Sequence, residues 1–176
     1  MSGYSGPGLS PRHLEHFVIR PTLARLAGAD APGIDRDAAV ELLLGTAAHE
    51  SGLRALDQIT SAADRTLGPA FGLFQIEPAT HDDIWDNFLK HRPALAGRVA
   101  ALAAAQPSRH EQLATTLAYA AAIARLVYYR SPVPLAAPGD IAGHAAVWKR
   151  VYNTAAGKGR PDQFVEAWTR LVQPYR

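Results

Sequence analysis

Apolar residues recur along most of the chain at helical spacing, and nowhere do they alternate over a length that suits a strand. A first helix is expected from about Pro11 to Ala27, with Phe17, Leu23 and Leu26 turned inward and a bend or break at Pro21. After the turn "GADAPGID", Val40, Leu43, Leu44, Ala47 and Ala48 fall at i, i+3, i+4, i+7 and i+8. They define a second helix that starts near Asp35 or Arg36 and stops at Gly52. Residues 53–77 break the pattern and read as irregular, with a short β-like segment at 71–76. A third helix follows over about 79–90, with Pro78 and Thr80 at its start and Asp82–Asp83 in its first turn. Residues 94–105 read as an Ala/Leu helix. Ser108 and Glu111 then have capping-box spacing ahead of an alanine-rich helix of about 20 residues. "IAGHAAVWKRVYN" and "PDQFVEAWTRLV" supply the last two helices.

The pattern predicts an all-α fold of six or seven helices around a central alanine-rich helix. Residues 11–176 are expected to form one domain behind a loose tail, 1–10. The chain's 176 residues suit that size, and 48% hydrophobic with 19% charged residues is an ordinary globular composition. Composition then removes several functions. The net charge of +2 and the scattered Lys and Arg give no basic stripe, so no nucleic-acid partner is expected. The chain holds no cysteine, which excludes a disulfide framework, a thiol nucleophile and a Cys-ligated metal. No run of about 18 apolar residues exists, so no membrane span is expected. The first residues lack a basic stretch followed by an apolar one, so no signal peptide is expected. The expected localisation is synthesis in the cytoplasm and action at the cell wall, reached by another route.

The chemistry centres on Glu50, in "TAAHESGLRALDQ". It follows Ala47 by three positions and Leu43 by seven, so it continues the apolar face of its helix. It also stands in the last turn, where the helix dipole disfavours negative charge. Burial and the dipole both raise a carboxyl pKa, as a general acid requires. A bland reading competes: Glu50 borders the core and pairs with Arg54 at i+4.

Later segments favour the first reading. Glu50-Ser51 at a helix end is followed by Gly72-Leu73-Phe74-Gln75, then Pro78 and Thr80. Next come the alanine-rich "TLAYAAAIARLVYY" and "WKRVYNTAAGKG" around Tyr152-Asn153. In that order and spacing, from about residue 38 to 168, the chain resembles soluble lytic transglycosylases and goose-type lysozymes of the lysozyme superfamily. The version "GPAFGLFQIEPATHDDIW" looks especially like relatives encoded by phages and prophages. Phe74 stands where the family more often has methionine, and extra residues separate Asn153 from the following glycine.

The resemblance implies a lysozyme-like fold and an enzyme that cleaves the MurNAc–GlcNAc β-1,4 bond of peptidoglycan glycan strands, without a cofactor. Glu50 would act as general acid and then base. Ser51, Gly72, Phe74, Gln75, Tyr152 and Asn153 would serve the substrate, with Ser51 orienting Glu50 and Tyr152 donating to Glu50 or to the N-acetyl group. A hydrolytic muramidase would want a second carboxylate, for which Asp64 and Glu77 are the candidates and Asp57 a neighbour in sequence. A third reading keeps the fold as a non-catalytic wall-binding or virion component, with other tail proteins as partners; the lengthened turn after Asn153 supports it. No metal site is expected. "HESGL" lacks the second histidine of HExxH, His13 and His16 form only a weak pair, and His81-Asp82-Asp83 is better explained as a helix start. The sequence contains no nucleophile elbow, P-loop or Rossmann fingerprint.

Overall fold

In a computed structural model of the protein, residues 8–57, 68–153 and 157–176 are described. Those residues form eight helical segments and no sheet. The all-α expectation holds, with one helical segment more than expected.

The extra segment comes from the alanine-rich stretch. The capping box at Ser108 and Glu111 forms, with Ser108 accepting from the Glu111 N–H and Glu111 accepting from the Ser108 N–H. The helix it opens, Arg109–Thr115, ends at Thr116, whose backbone leaves the helical region (φ −123°, ψ 89°). Two adjacent β-branched residues crowd this turn, and the Thr115 hydroxyl donates back to the Glu111 carbonyl at 3.2 Å. A second helix, Leu117–Tyr129, then runs through the middle of the molecule. All residues from Tyr119 to Tyr128 are buried. Four alanines at 120, 121, 122 and 124 allow the helices Arg20–Leu26, Asp37–Ser51 and Pro93–Ala100 to pack against it closely.

The first helix corrects two expectations. It does not break at Pro21: Pro11–His13 continues through a π-helical stretch, Leu14–Ile19, into Arg20–Leu26. The Arg20 N–H reaches back to Glu15, five residues away, and the wider turn makes room for a proline that has no N–H to give. The π stretch also shifts the inward face. Leu14, Ile19, Leu23 and Leu26 are buried, whereas Phe17, expected inside, is 69% exposed. Leu9 and Ser10, expected in the loose tail, are held in place. Leu9 donates to the Leu53 carbonyl at 2.9 Å and Ser10 caps the first helix; residues 1–7 lie outside the described residues.

The apolar side chains of these segments join in one continuous core. At its edge Arg176 ties the chain end to two earlier helices, donating to Glu41 at 2.7 Å and to Glu15 at 2.8 Å. Among the described residues, no helix is long and apolar enough to cross a membrane.

Candidate active site

The helix Asp37–Ser51 ends where Gly52 takes a left-handed conformation (φ +60°), so Glu50 stands in the last turn, as the spacing predicts. It is partly buried in the wall of a cleft of about 770 Å³. Burial raises its pKa from 4.5 to about 7, opposed by a hydrogen bond from the Trp148 indole N–H to Oε1 at 2.9 Å. Glu50 is therefore a carboxyl that keeps its proton close to neutrality, facing a space large enough for a ligand.

Trp148 is the residue that sequence reasoning missed. It is fully buried, yet its one polar atom is aimed at the acid. The ring is held by His49, edge-on with centroids 4.3 Å apart, and by Phe164 at 5.7 Å. Gly45 leaves room for Phe164: a Cβ there would lie 2.6 Å from the ring's Cε1. Trp148 precedes Tyr152 by four positions, but that spacing reads as an ordinary apolar face and gives no signal of a bond to Glu50. The chain switches from α-helix to a π turn at Lys149–Asn153, between the two aromatic residues. Such π turns are frequent at functional sites.

Tyr152 lines the cleft and stacks on Tyr128, with centroids 5.3 Å apart and planes at 24°. Its hydroxyl donates to the Phe74 carbonyl at 2.7 Å. The expected donation to Glu50 is thus replaced by a tie to the 71–76 turn, because a phenol has a single proton to give. Burial, with the neighbouring Tyr128 and Glu50, holds the Tyr152 pKa well above its usual value, so the hydroxyl stays neutral. Tyr128 belongs to the core, hydrogen-bonded to Thr46 at 2.7 Å. Replacing Tyr152 by Phe is expected to lower stability by about 1 kcal/mol and loosen the turn. Chemical denaturation checks the first effect, and KM rising more than kcat falls checks the second.

The β-like expectation at 71–76 is met by a tight turn. Phe71 and Ile76 exchange two backbone hydrogen bonds of 3.0 Å, and Gly72 N–H donates to the Leu56 carbonyl at 2.9 Å. Gly72 (φ +75°) and Gln75 (φ +47°) both take the left-handed conformation. For Gln75 that conformation is strained, and its side chain donates to the Gly72 carbonyl at 2.8 Å while lining the cleft. Its amide oxygen remains available to accept from a ligand. Because glycine relieves the strain, Gln75→Gly is expected to stay within about 1 kcal/mol of wild-type stability. If Gln75 binds substrate, the same variant loses about 10-fold or more in kcat/KM; an unchanged kcat/KM would remove Gln75 from the site.

Three expected substrate contacts take other roles. Phe74 is fully buried, and only its backbone carbonyl takes part, as the acceptor for Tyr152. Gly72 is required by close packing on the backbone of Leu113, where a Cβ would collide with the carbonyl group, rather than by approach to a ligand. Ser51 lines the cleft beside Glu50, but its hydroxyl donates to the Ala47 carbonyl at 2.9 Å, closing the last helical turn. Asn153 does line the cleft, but its amide oxygen accepts from Lys149 at 2.7 Å, and the same ammonium reaches the Gly157 carbonyl at 2.8 Å. Of the acidic candidates, Glu77 is exposed on the cleft wall. Asp57 lines the cleft as well, with one oxygen accepting from the Gly68 N–H at 2.9 Å. Asp64 lies outside the described residues. Gln163, Glu166 and Arg170 of the last helical segment also line the cleft, which nothing in the motif pattern foretold.

Among the described residues, one group has the composition of a metal site: His81, Asp82 and His110, whose ligand atoms lie within 4.8 Å of one another. No protein-family model, curated protein or solved structure matches the chain.

Proposed function

We propose that the protein cleaves the MurNAc–GlcNAc β-1,4 bond of peptidoglycan as a lytic transglycosylase, with Glu50 as acid and then base. One observation carries this reading: a partly buried carboxyl with a pKa near 7 faces a cleft that also presents Gln75 and Tyr152. A glutamate of this kind has little structural use, since burial opposes its ionisation and, among the described residues, its hydrogen bond comes from the Trp148 indole alone.

In the proposed reaction Glu50 gives its proton to the glycosidic oxygen as the C1–O bond breaks. The substrate's N-acetyl oxygen bonds to C1 and disperses the developing positive charge. The Glu50 carboxylate then takes the proton of the C6 hydroxyl, whose oxygen attacks C1 and displaces the acetamide oxygen. The product is a 1,6-anhydro sugar, and Glu50 ends protonated as it began. A pKa near the working pH suits both halves of this cycle. Trp148 keeps the carboxyl in place through its N–H, and Tyr152 anchors the wall that carries Gln75.

Glu77 on the cleft wall favours a second reading, hydrolysis, in which a carboxylate directs water to C1. Digestion of purified sacculi followed by mass analysis of the soluble products decides between the two. Anhydro-muropeptides, each one water lighter than the hydrolytic product, are the expected result. Reducing ends would establish hydrolysis, and no soluble product would sink both.

A further inference from the structure

We propose that His81, Asp82 and His110 bind one divalent transition-metal ion, of the zinc type, at a site separate from the Glu50 cleft. The inference does not rest on the proposed glycan cleavage. It goes beyond the sequence expectation that "HDD" is only a helix start.

The three side chains come from two helices. His81 and Asp82 lie in Pro78–Asp83, and His110 lies in the first turn of Arg109–Thr115. Asp82 Oδ1 sits 2.8 Å from His81 Nδ1 and 2.7 Å from His110 Nε2. Two imidazole nitrogens and a carboxylate oxygen thus converge on one point. Around a tetrahedral zinc with bonds near 2.0 Å, ligand atoms stand about 3.3 Å apart. The two distances to Asp82 have only to open by roughly half an ångström to admit the ion, and all three ligand atoms already lie within 4.8 Å of one another. Two imidazoles with one carboxylate suit zinc and its neighbours in the first transition row, whereas calcium and magnesium prefer oxygen donors alone.

The second observation lies behind the ligands. The His81 side chain is 4% exposed, and its other nitrogen, Nε2, lies 2.7 Å from the Tyr119 hydroxyl. That oxygen also accepts from the Trp85 indole N–H at 3.0 Å. A ligating histidine needs such an acceptor, since binding through Nδ1 requires the ring proton to sit on Nε2. The Tyr119 oxygen can take both N–H groups on its two lone pairs. The outer face stays open, with the Asp82 and His110 side chains 52% and 37% exposed, so an ion can reach the site and a water can fill a fourth position.

A metal here would fasten the helix that follows the 71–76 turn to the helix against which Gly72 packs, through Leu113. It would brace the wall that holds Gln75.

Calorimetric titration of the chelator-stripped full chain with zinc chloride tests the site. Saturable one-to-one binding is expected, with a rise in Tm of roughly 5 °C at a zinc concentration about 100-fold above Kd. His110→Ala and Asp82→Asn, both at exposed side chains, should weaken binding by about 100-fold, and Tyr119→Phe by about 10-fold. His16→Ala, which alters the other histidine pair, should leave it unchanged, and calcium chloride should give no binding. Failure of the stripped wild type to take up one zinc would overturn the proposal. So would binding that is untouched by His110→Ala and Asp82→Asn, or that is lost equally in His16→Ala.

Discussion

Replacing Glu50 by glutamine is expected to cut glycan cleavage by about 1,000-fold or more while making the protein more stable above pH 7. The first effect follows from removing the only proton the proposed mechanism delivers to the leaving oxygen, worth about 4 kcal/mol of barrier. The second follows from linkage. The folded-state pKa, about 7, lies above the ordinary 4.5, so between these values the native state binds more protons than the unfolded chain. Stability therefore falls as pH rises from about 4.5 to 7 and then levels off, at a cost of about 3 kcal/mol. Glutamine carries no such cost, and its amide oxygen can still accept from Trp148. At pH 8 the variant should exceed wild type by about 2–3 kcal/mol; below pH 4.5 the advantage should vanish. Denaturant titrations of both proteins at the two pH values read this directly. Equal stability at both pH values would mean that Glu50 titrates like an exposed carboxyl.

The largest structural effect is expected at Gly72. An alanine there meets two obstacles together. Its backbone must hold φ +75°, which costs a residue with a Cβ about 1–2 kcal/mol. The added carbon also runs into the backbone carbonyl of Leu113, and backbone cannot swing aside as a flexible side chain can. Together these lower stability by about 3 kcal/mol, or roughly 10 °C in Tm for a chain of this length. Activity should fall further than stability alone explains, because the turn that shifts also carries Gln75 and the carbonyl that anchors Tyr152. Gly72→Ala with a wild-type Tm would show that this turn does not pack on Leu113.

What could be seen from the sequence alone divides along physical lines. Helical periodicity reported the burial of Val40, Leu43 and Leu44 and the stop at Gly52 because those are local properties of one helix. It failed at Phe17, since a π turn shifts the register by less than a window of apolar residues can resolve. It joined two helices across Thr116 because the break comes from a β-branched pair and a side-chain hydrogen bond, not from glycine or proline. In the cleft, Glu50, Gln75 and Tyr152 were legible through their motif positions, and all three line it. The partner of Glu50 was not: Trp148 lies 98 residues away, and an indole N–H leaves no trace in an apolar pattern. The same blindness hid the link from His110 to Asp82 across 28 residues. Ser51 and Phe74 were placed in the site by motif alone. Geometry leaves Ser51 on the cleft wall with its hydroxyl turned back onto its own helix, and puts the Phe74 side chain in the core.

The central claim, that Glu50 delivers a proton to a glycan in this cleft, is tested most directly by kcat/KM for purified glycan strands as a function of pH. This quantity reports the ionisation of the free enzyme. Cleavage is expected to fall through a single ionisation near pH 7 as Glu50 loses its proton. A profile that is flat through that range, or no cleavage at any pH, would contradict it.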